Sequence, residues 1–301
     1  MKRVGFIGIG KMGTPMVANL LKAGFSVLAY DIQSEALEEA KRRGARAAGS
    51  AAEVARDSDV VVTMLPSSRE VEECYCREGG VLAGAPAGRL CVDMSTIDPG
   101  TSRRVAERAK AQEVRFLDAP VSGAVPRAVE GTLTIMVGGS AEDLEEARPV
   151  LSAMGSTIIH VGPVGSGEVA KICNNLIAGV ATVAVCEAFR LAEQFGVDPK
   201  VLTEVIKKSS GYTWAMEHNH PVPGMVAKAA SSHDYAAGFM TDLMAKDMGL
   251  AVTAGRDRRV PLFVASAALQ LYRLASAHGL GRKDFSSVYT LLKPGSESAP
   301  V

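Results

Sequence analysis

The fold of this chain is decided by KRVGFIGIGKMGTPMVANLLKAGFSVLAYD, residues 2–31. An apolar strand leads into a glycine turn, an amphipathic helix follows, and a second strand ends at an acid. Gly8, Gly10 and Gly13 have the spacing G-x-G-x-x-G. In that motif the first glycine permits a tight turn, the second lets a pyrophosphate approach the backbone, and the third allows close packing of the helix. Asp31 stands where a carboxylate can accept hydrogen bonds from ribose hydroxyls, so the stretch predicts a dinucleotide-binding βαβ unit.

The residues around Asp31 narrow the choice of cofactor. The alternative to a nucleotide site is a plain strand–helix turn with Asp31 as a solvated strand end, but strand, helix and acid all stand where the motif requires them. Asp31 is followed by Ile32 and Gln33, and no arginine is present there to neutralise a 2′-phosphate. The predicted cofactor is therefore NAD rather than NADP.

Composition describes a neutral, globular chain. Its 301 residues suggest two domains, and 33 basic residues balance 33 acidic ones. With no net charge to create a long-range field, we expect neither nucleic acid nor an anionic membrane as a partner. The longest strongly apolar run, 176–186, is too short to span a bilayer. Because the chain enters a strand at once, it leaves no room for a targeting peptide, although one removed beforehand is compatible with the sequence.

Cysteine and histidine residues point away from disulfides and metals. The five cysteines lie mostly in apolar segments, as expected for buried thiols in a reducing compartment. The five histidines form no array with the spacing of metal ligands. The prediction is that the protein has no metal site, so it is not a metal-dependent alcohol dehydrogenase.

Two kinds of pattern divide the chain. Strand and helix signals alternate up to about residue 161, which predicts an α/β, Rossmann-type domain with a doubly wound parallel sheet over 1–163. An all-helical substrate and dimerisation domain is predicted over 164–293, opening with a long interdomain helix, and 294–301 is expected to be disordered. We expect the active-site cleft between the domains. Beyond the first unit, strands are predicted at 60–64, 90–94, 115–117, 133–137 and 157–161, and helices at 167–195, 198–209, 241–255, 261–278 and 284–292.

Lys171 is the leading candidate for catalysis. Oxidation of an alcohol with NAD requires a group that takes the hydroxyl proton while hydride leaves the same carbon. Lys171 lies early in the long predicted helix, with Asn174 and Asn175 three and four residues further on. Polar groups on an otherwise apolar helix are costly if they face only core. The alternative is a lysine that extends from the edge of the helix to solvent while the asparagines bond across the domain interface.

Four ordered motifs resemble the β-hydroxyacid dehydrogenase family. They are GFIGIGKMGTPMVANL at 5–20, DAPVSGA at 118–124, GSGEVAKICNN at 165–175 and LMAKDMGLA at 243–251. Within that family, SSGYTWAMEHNHPVPGMV at 209–226 and DFSSV at 284–288 look like the branch that oxidises 3-hydroxyisobutyrate. The resemblance covers residues 3–292.

The resemblance implies roles at the substrate. Lys171 matches the general acid/base, and Asn175 matches the residue that helps to orient the substrate hydroxyl. Ser122 and Gly123 match the loop that holds the substrate carboxylate, where backbone N–H groups and a hydroxyl suit an anion.

It also implies contacts to the cofactor. These would come from the glycine turn with Lys11 and Met12, from Leu65 and Pro66, from Thr96, and from Lys246, which closes over the nicotinamide end. Two of these residues have simpler alternatives. Thr96 could be a helix N-cap ahead of Asp98, and Lys246 could pair with Asp242 one turn earlier on an exposed helix.

Three positions depart from the family pattern. Ala124 stands where a second glycine is usual, which adds a methyl group to the carboxylate loop. Lys11 replaces the usual Asn or His, and Glu70 replaces an asparagine, so that cofactor contact is not carried over. None of these changes removes a group that the reaction needs.

The resemblance implies NAD-dependent oxidation of 3-hydroxyisobutyrate to methylmalonate semialdehyde, a step of valine breakdown. The first alternative is a sister reductase of succinic semialdehyde, glyoxylate or tartronate semialdehyde. The second is a non-catalytic, nucleotide-sensing relative, against which Lys171 and Asn175 both count. We expect a soluble homodimer or homotetramer, cytoplasmic in a bacterium and in the mitochondrial matrix in a eukaryote.

Overall fold

The computed structural model describes residues 3–236 and 238–293. The chain divides into two compact units, Met1–Lys171 and Ile172–Val301. This division falls inside the helix Ser166–Gln194, whereas the sequence pattern puts the boundary ahead of that helix, at 163. The predicted boundary and the predicted roles of the two domains stay predictions. The tail 294–301, expected to be disordered, lies outside the described residues.

Nine strands form one sheet in the described part of the first unit. Their order is β3-β2-β1-β4-β5-β6-β8-β7, and β9 pairs with β8. The strands are β1 (Arg3–Ile7), β2 (Ser26–Tyr30), β3 (Arg46–Ala47), β4 (Val60–Thr63), β5 (Leu90–Asp93), β6 (Arg115–Asp118), β7 (Val121–Ser122), β8 (Leu133–Gly138) and β9 (Gly155–Gly162).

Helices cover the sheet, as the alternating pattern predicts. They are α1 (Gly13–Lys22), α2 (Ser34–Arg42), α3 (Ala51–Asp57), α4 (Ser68–Cys76), α5 (Val81–Gly84), α6 (Pro99–Lys110), α7 (Ala124–Glu130) and α8 (Ala141–Ser152), followed by α9 (Ser166–Gln194). Successive strand residues point to opposite faces of a sheet. Val60 and Val62 accordingly pack in one hydrophobic cluster, while Val61 packs in the other. Two cores thus form, which is the doubly wound arrangement.

The far side of the sheet corrects one expectation. The first six strands pair in parallel, but β8 runs antiparallel to β6 and β7, and β9 is parallel to β8. The short link between β7 and β8 contains only a single short helix, α7. A parallel return needs a longer crossover, so the chain reverses direction here and the sheet is mixed. The two-residue strands β3 and β7 were not predicted, because two residues carry no periodicity.

The second unit is helical. After α9 it contains α10 (Pro199–Lys207), α11 (Trp214–His218), α12 (Thr241–Asp257) and α13 (Phe263–Ala275), with 3₁₀ segments at Ala230–His233 and Phe285–Leu291 and a π-type turn at Ser276–Leu280. The predicted helix at 284–292 is therefore a 3₁₀ segment, and α11 was missed. Asp198 caps α10, since its carboxylate accepts a hydrogen bond from Lys200 N at 2.7 Å.

Close packing between helices in this unit depends on Gly179 of α9. A methyl group there would lie 2.5 Å from the sulfur of Met248 and 3.1 Å from that of Met244. The hydroxyl of Tyr272 also donates to the carbonyl oxygen of Gly179 at 2.9 Å. The glycine therefore lets α12 and α13 approach the backbone of α9.

Helix α9 is long and apolar enough to cross a membrane by length and composition alone. In its most apolar stretch of 18 residues, 44% is buried inside the protein. Val183, Cys186 and Phe189 of this helix belong to the hydrophobic core of the second unit. Packing in that core accounts for these apolar residues of the helix.

Candidate active site

The glycine turn lies between β1 and α1. Gly8 has a φ of +94°, and a methyl group there would lie 2.3 Å from the carbonyl oxygen of Met64. A methyl group at Gly13 would lie 2.0 Å from the carbonyl oxygen of Gly8. Both positions therefore require glycine for the chain to turn and for the helix to start against it. Gly10 is exposed and has open space on its Cβ side, which leaves room for an anion to approach the backbone.

Asp31, directly after β2, holds this turn in place. Its carboxylate accepts hydrogen bonds from Ile9 N at 2.5 Å and from Gln33 N at 2.8 Å. A carboxylate offers about four acceptor positions, so these two bonds leave capacity for a ribose diol. The neighbouring Ile32 is 79% exposed and carries no charge to attract a 2′-phosphate. Asp31 thus has a task in the fold that the sequence did not predict, and its contact with the ribose stays a prediction.

A buried acid that the sequence analysis missed joins the loops after β4 and β5. Asp93 accepts hydrogen bonds from the hydroxyls of Thr63 at 2.7 Å and Ser95 at 2.6 Å. Ser95 in turn accepts the backbone N–H of Leu65 at 2.8 Å. Burial raises the pKa of Asp93 to about 6. This network fixes the backbone at Leu65, beside Pro66, and the start of the segment that carries Thr96.

The structure identifies the residues that cap the N-termini of α6 and α4. The N-cap of α6 is Asp98, whose carboxylate accepts Thr101 N at 2.8 Å, so the interpretation of Thr96 as a cap is wrong. Glu70 is bonded to the hydroxyl of Ser67, the N-cap of α4. Ser67 and Glu70 have the N-cap and N3 spacing of a capping box, and here their side chains bond to each other, which gives the departure at Glu70 a structural role.

The predicted carboxylate loop follows β7 and has an unusual backbone. Gly123 has a φ of +135° and Ala124 a φ of +53°. The left-handed region is rare for residues other than glycine, and a non-glycine residue there costs about 1 kcal/mol or more. Ala124 therefore adopts a backbone conformation that glycine tolerates better, at a cost in stability. The side chain of Arg127 lies over Gly123, where an added methyl group would come within 2.7 Å of it.

Lys171 and Asn175 are both buried in α9, with 6% and 5% of their surfaces exposed. They stand one turn apart on the same helix. Asn174 is exposed and donates to Asn175 Oδ1 at 3.0 Å, so it does not share the buried face. Lysine is almost never fully buried unless its charge is paired. The burial contradicts the alternative of a lysine that extends to solvent.

Asp247 of α12 organises the polar residues of the second unit. Its carboxylate accepts Asn175 Nδ2 at 2.5 Å and contacts Lys246 Nζ at 3.2 Å. Lys246 thus contacts its neighbour in the chain, a partner that the sequence pattern did not indicate. The sequence analysis quoted this acid in the motif LMAKDMGLA but gave it no role. One signal was present: Asp247 lies on the buried face of α12 with Met244 and Ala251.

Metal ligands are not gathered anywhere in the described chain. No group of three or more His, Cys, Asp or Glu side chains in residues 3–236 and 238–293 could hold a metal ion. All five cysteines are free thiols.

Two family models match this chain. One, described as the NAD binding domain of 6-phosphogluconate dehydrogenase, covers residues 3–162. The other, described as NAD-binding of NADP-dependent 3-hydroxyisobutyrate dehydrogenase, covers residues 165–292. A probable mitochondrial 3-hydroxyisobutyrate dehydrogenase of Dictyostelium discoideum is 45% identical, over 97% of this chain and 91% of that protein.

The chain belongs to the 3-hydroxyisobutyrate dehydrogenase family. It is an oxidoreductase with NAD as its cofactor, which confirms the predicted family, fold class and cofactor. An NAD-dependent L-serine dehydrogenase of Pseudomonas aeruginosa is also 45% identical, over 98% of this chain and 99% of that protein. A solved structure of Mycobacterium tuberculosis 3-hydroxyisobutyrate dehydrogenase with L-serine is 40% identical, covers 98% of this chain and all of that one (100%), and has a TM-score of 0.94.

The residues of this family member fit the cofactor. The glycine turn leaves the backbone at Gly10 open to a pyrophosphate, and Asp31 is aligned by Ile9 and Gln33 beside that turn. Leu65, Pro66 and Thr96 follow β4 and β5 at the carboxyl ends of parallel strands, where ligands of open α/β sheets bind. The individual contacts of these residues, of Lys11, Met12 and Lys246, and of the substrate loop stay predictions.

Proposed function

We propose that this protein oxidises 3-hydroxyisobutyrate to methylmalonate semialdehyde with NAD, as a step of valine breakdown. The observation that carries the proposal is the burial of Lys171 and Asn175 one turn apart on α9, in a chain whose glycine turn fits a dinucleotide. A lysine amine is one of the side-chain groups that serve as general acid or base in enzymes.

The chemistry divides between residues as follows. Lys171 accepts the proton of the substrate hydroxyl as the C–H bond of the same carbon breaks. Bound NAD supplies the hydride acceptor. Asn175, whose amide is oriented by Asp247, holds the hydroxyl toward Lys171. Asp247 thereby acts through Asn175, as a positioning residue.

The substrate carboxylate is assigned to Ser122 and Gly123. The hydroxyl of Ser122 and the backbone N–H groups of the loop can donate to an anion, and the positive φ of Gly123 shapes the loop. Because a carboxylate stands at a fixed distance from the reacting carbon, this anchor selects 3-hydroxy acids over simple alcohols.

L-serine is a second candidate substrate. It shares the skeleton HO–CH2–CH(X)–COO⁻ with 3-hydroxyisobutyrate, where X is ammonium in serine and methyl in the other acid. A serine dehydrogenase at 45% identity and a related structure with L-serine favour including it. The proposed site addresses the hydroxyl and the carboxylate that both molecules share.

We also propose that the protein works as a homodimer or homotetramer in a reducing compartment. The free thiols support the second point. Named relatives of this chain include mitochondrial and bacterial enzymes.

The test is a rate assay of NAD reduction with three substrates at matched concentrations. We expect 3-hydroxyisobutyrate to give the highest kcat/KM, L-serine a lower one, and 2-methylpropane-1,3-diol, which lacks the carboxylate, almost none. Higher kcat/KM for L-serine would reassign the substrate. Equal turnover of the diol would overturn the carboxylate anchor, and absence of turnover with both acids would overturn the proposed function.

A further inference from the structure

We propose that Asp118 and Glu168 are positioning residues that set the place of Lys171 by tying the first turn of α9 to the ends of β6 and β5. The inference rests on the proposed function, because it takes Lys171 as the base. Neither acid belongs to the residues assigned above to substrate or cofactor. Both side chains are completely buried, at 0% exposure.

Asp118 holds the backbone at the start of α9. Its Oδ1 accepts Gly165 N at 2.7 Å, and its Oδ2 accepts Glu168 N at 3.0 Å. These are N–H groups that a helix leaves without an internal partner, and an anion is favoured at this end of a helix. Lys171 follows Glu168 by less than one turn, so the direction of its side chain depends on this anchor.

Two glycines make room for the Asp118 carboxylate. A methyl group at Gly138 would lie 2.4 Å from Asp118 Oδ1, and one at Gly167 would lie 2.9 Å from Asp118 Oδ2. Gly138 is also the strand partner of Asp118 between β6 and β8. The carboxylate is thus enclosed by backbone on both sides, and it has little freedom to move.

Glu168 provides the second tie. Its Oε2 accepts the backbone N–H of Ile97 at 3.1 Å. Ile97 directly follows Thr96, one of the predicted cofactor contacts. The same helical turn is therefore bonded to the loop after β5 through Glu168 and to the end of β6 through Asp118.

This arrangement links the base to the substrate loop. Asp118 begins the segment DAPVSG, which reaches Ser122 and Gly123 four and five residues later. One buried side chain thus fixes both the origin of the carboxylate loop and the helix that carries Lys171. A displacement of about 1 Å in such a framework can cost about 100-fold in rate.

The acids could instead serve stability alone, and kinetics separates the two roles. A loss of stability lowers the amount of active enzyme, whereas a misplaced base lowers kcat per folded molecule. Slower proton transfer also makes the chemical step more rate-limiting, so the isotope effect with substrate deuterated at C3 grows. The matched control is Asp198→Asn, because Asp198 is also an aspartate that accepts the first N–H groups of a helix, α10.

The experiment compares wild type, Asp118→Asn, Glu168→Gln and Asp198→Asn, each normalised to folded protein. In Asp118→Asn the amide nitrogen is itself a donor and cannot accept one of the two backbone N–H groups. We therefore expect kcat to fall about 100-fold, with KM for NAD within about 3-fold of wild type. Glu168→Gln keeps an acceptor oxygen and is expected to lose about 10-fold in kcat. Both should show a larger isotope effect, and Asp198→Asn should match wild type in all three readouts.

Wild-type kcat and isotope effect in folded Asp118→Asn would overturn the inference. Should that variant fail to fold, Glu168→Gln decides, and wild-type values there would overturn it equally. Wild-type enzyme without turnover of any 3-hydroxy acid would instead overturn the proposed function, and this inference with it.

Discussion

Two regions of this protein rely on different chemical groups: the glycine turn at Gly8, Gly10 and Gly13, which we call the nucleotide end, and the surroundings of Lys171 and Asn175, which we call the catalytic end. At the glycine turn the backbone provides the predicted contact to the pyrophosphate, and the absence of side chains leaves the space that the turn and the anion need. Around Lys171 and Asn175, the proposed function belongs to side chains. Buried acids bond to the same elements, Asp118 and Glu168 at the start of α9 and Asp247 on α12. Because the two sites use different groups, we expect substitutions at the glycine turn to impair cofactor binding and substitutions around Lys171 to impair catalysis.

The largest effect is expected at Lys171. Lys171→Ala should lower kcat by about 10²- to 10⁴-fold, the range for loss of a general base, while the Kd for NAD stays close to wild type. Lys171→Arg should fail as well, because a guanidinium is not deprotonated in proteins. Steady-state kinetics and a calorimetric NAD titration measure the two quantities. Substantial turnover by either variant would place the proton transfer elsewhere.

Ser122 provides the next test on the catalytic side. Ser122→Ala should remove one hydrogen bond to the substrate carboxylate, worth about 1.5–3 kcal/mol, or about 10- to 150-fold in kcat/KM. NAD binding should not change. Gly123 is a poorer position to test, because its φ of +135° and the contact with Arg127 would strain any replacement. An unchanged kcat/KM for 3-hydroxyisobutyrate would contradict the assignment of Ser122.

Asp31 tests the nucleotide end in the same way. Asp31→Ser should raise KM for NAD about 10-fold and lower the ratio of activity with NAD to activity with NADP. The double variant Asp31→Ser, Gln33→Arg should lower this ratio further. The kcat at saturating NAD should stay close to that of wild type. Because Asp31 also accepts the N–H of Ile9, the melting temperature of the variant is measured alongside. A wild-type enzyme that prefers NADP would show that the account of Asp31 is wrong.

The smallest effect concerns pH, where two buried groups in the two units act in opposite directions. Burial raises the pKa of Asp93 from 3.8 to about 6, so its contribution to stability falls as pH rises from about 4 to about 6. Burial lowers the pKa of His220 from 6.5 to about 4, so its contribution is full above 6.5 and falls as pH drops toward 4. The imidazole ring of His220 packs edge-on against the ring of Phe189, with the two ring centroids 4.7 Å apart.

Between about pH 4 and pH 6 these two slopes should largely cancel in wild type. Asp93→Asn should remove one of them, so that the free energy of unfolding rises with pH in this window more steeply than in wild type. Denaturant unfolding at pH 4.5, 5.5 and 6.5 measures the slopes. Equal slopes in variant and wild type would contradict the raised pKa of Asp93.

The sequence was informative where function lies in the backbone. The spacing of Gly8, Gly10 and Gly13 is visible in one line, since each glycine has a local geometric cause. The strands β4 and β5 were predicted to within a residue because buried parallel strands are continuous apolar runs. The direction of β8 was missed, since a strand's residues do not record which way its neighbour runs.

At the catalytic end, the sequence pattern alone left Lys171 between a base and a surface lysine, and the motif resemblance supplied its role. The partners that hold the site could not be predicted from spacing. Asn175 and Asp247 are 72 positions apart, and Asp118 and Glu168 are 50 apart. Such pairs are brought together only by the packing of whole elements, which local periodicity does not specify.

The central claim is that this chain moves a hydride from the hydroxyl-bearing carbon of a 3-hydroxy acid to NAD, with Lys171 as the base. The most direct measurement supplies 3-hydroxyisobutyrate carrying two deuterium atoms at C3 and follows both products by mass spectrometry and NMR. We expect one deuterium on the nicotinamide ring of NADH and one on the aldehyde carbon, and we expect Lys171→Ala to form both products about 10²- to 10⁴-fold more slowly. NADH without deuterium, or deuterated NADH formed equally fast by Lys171→Ala, would contradict the account.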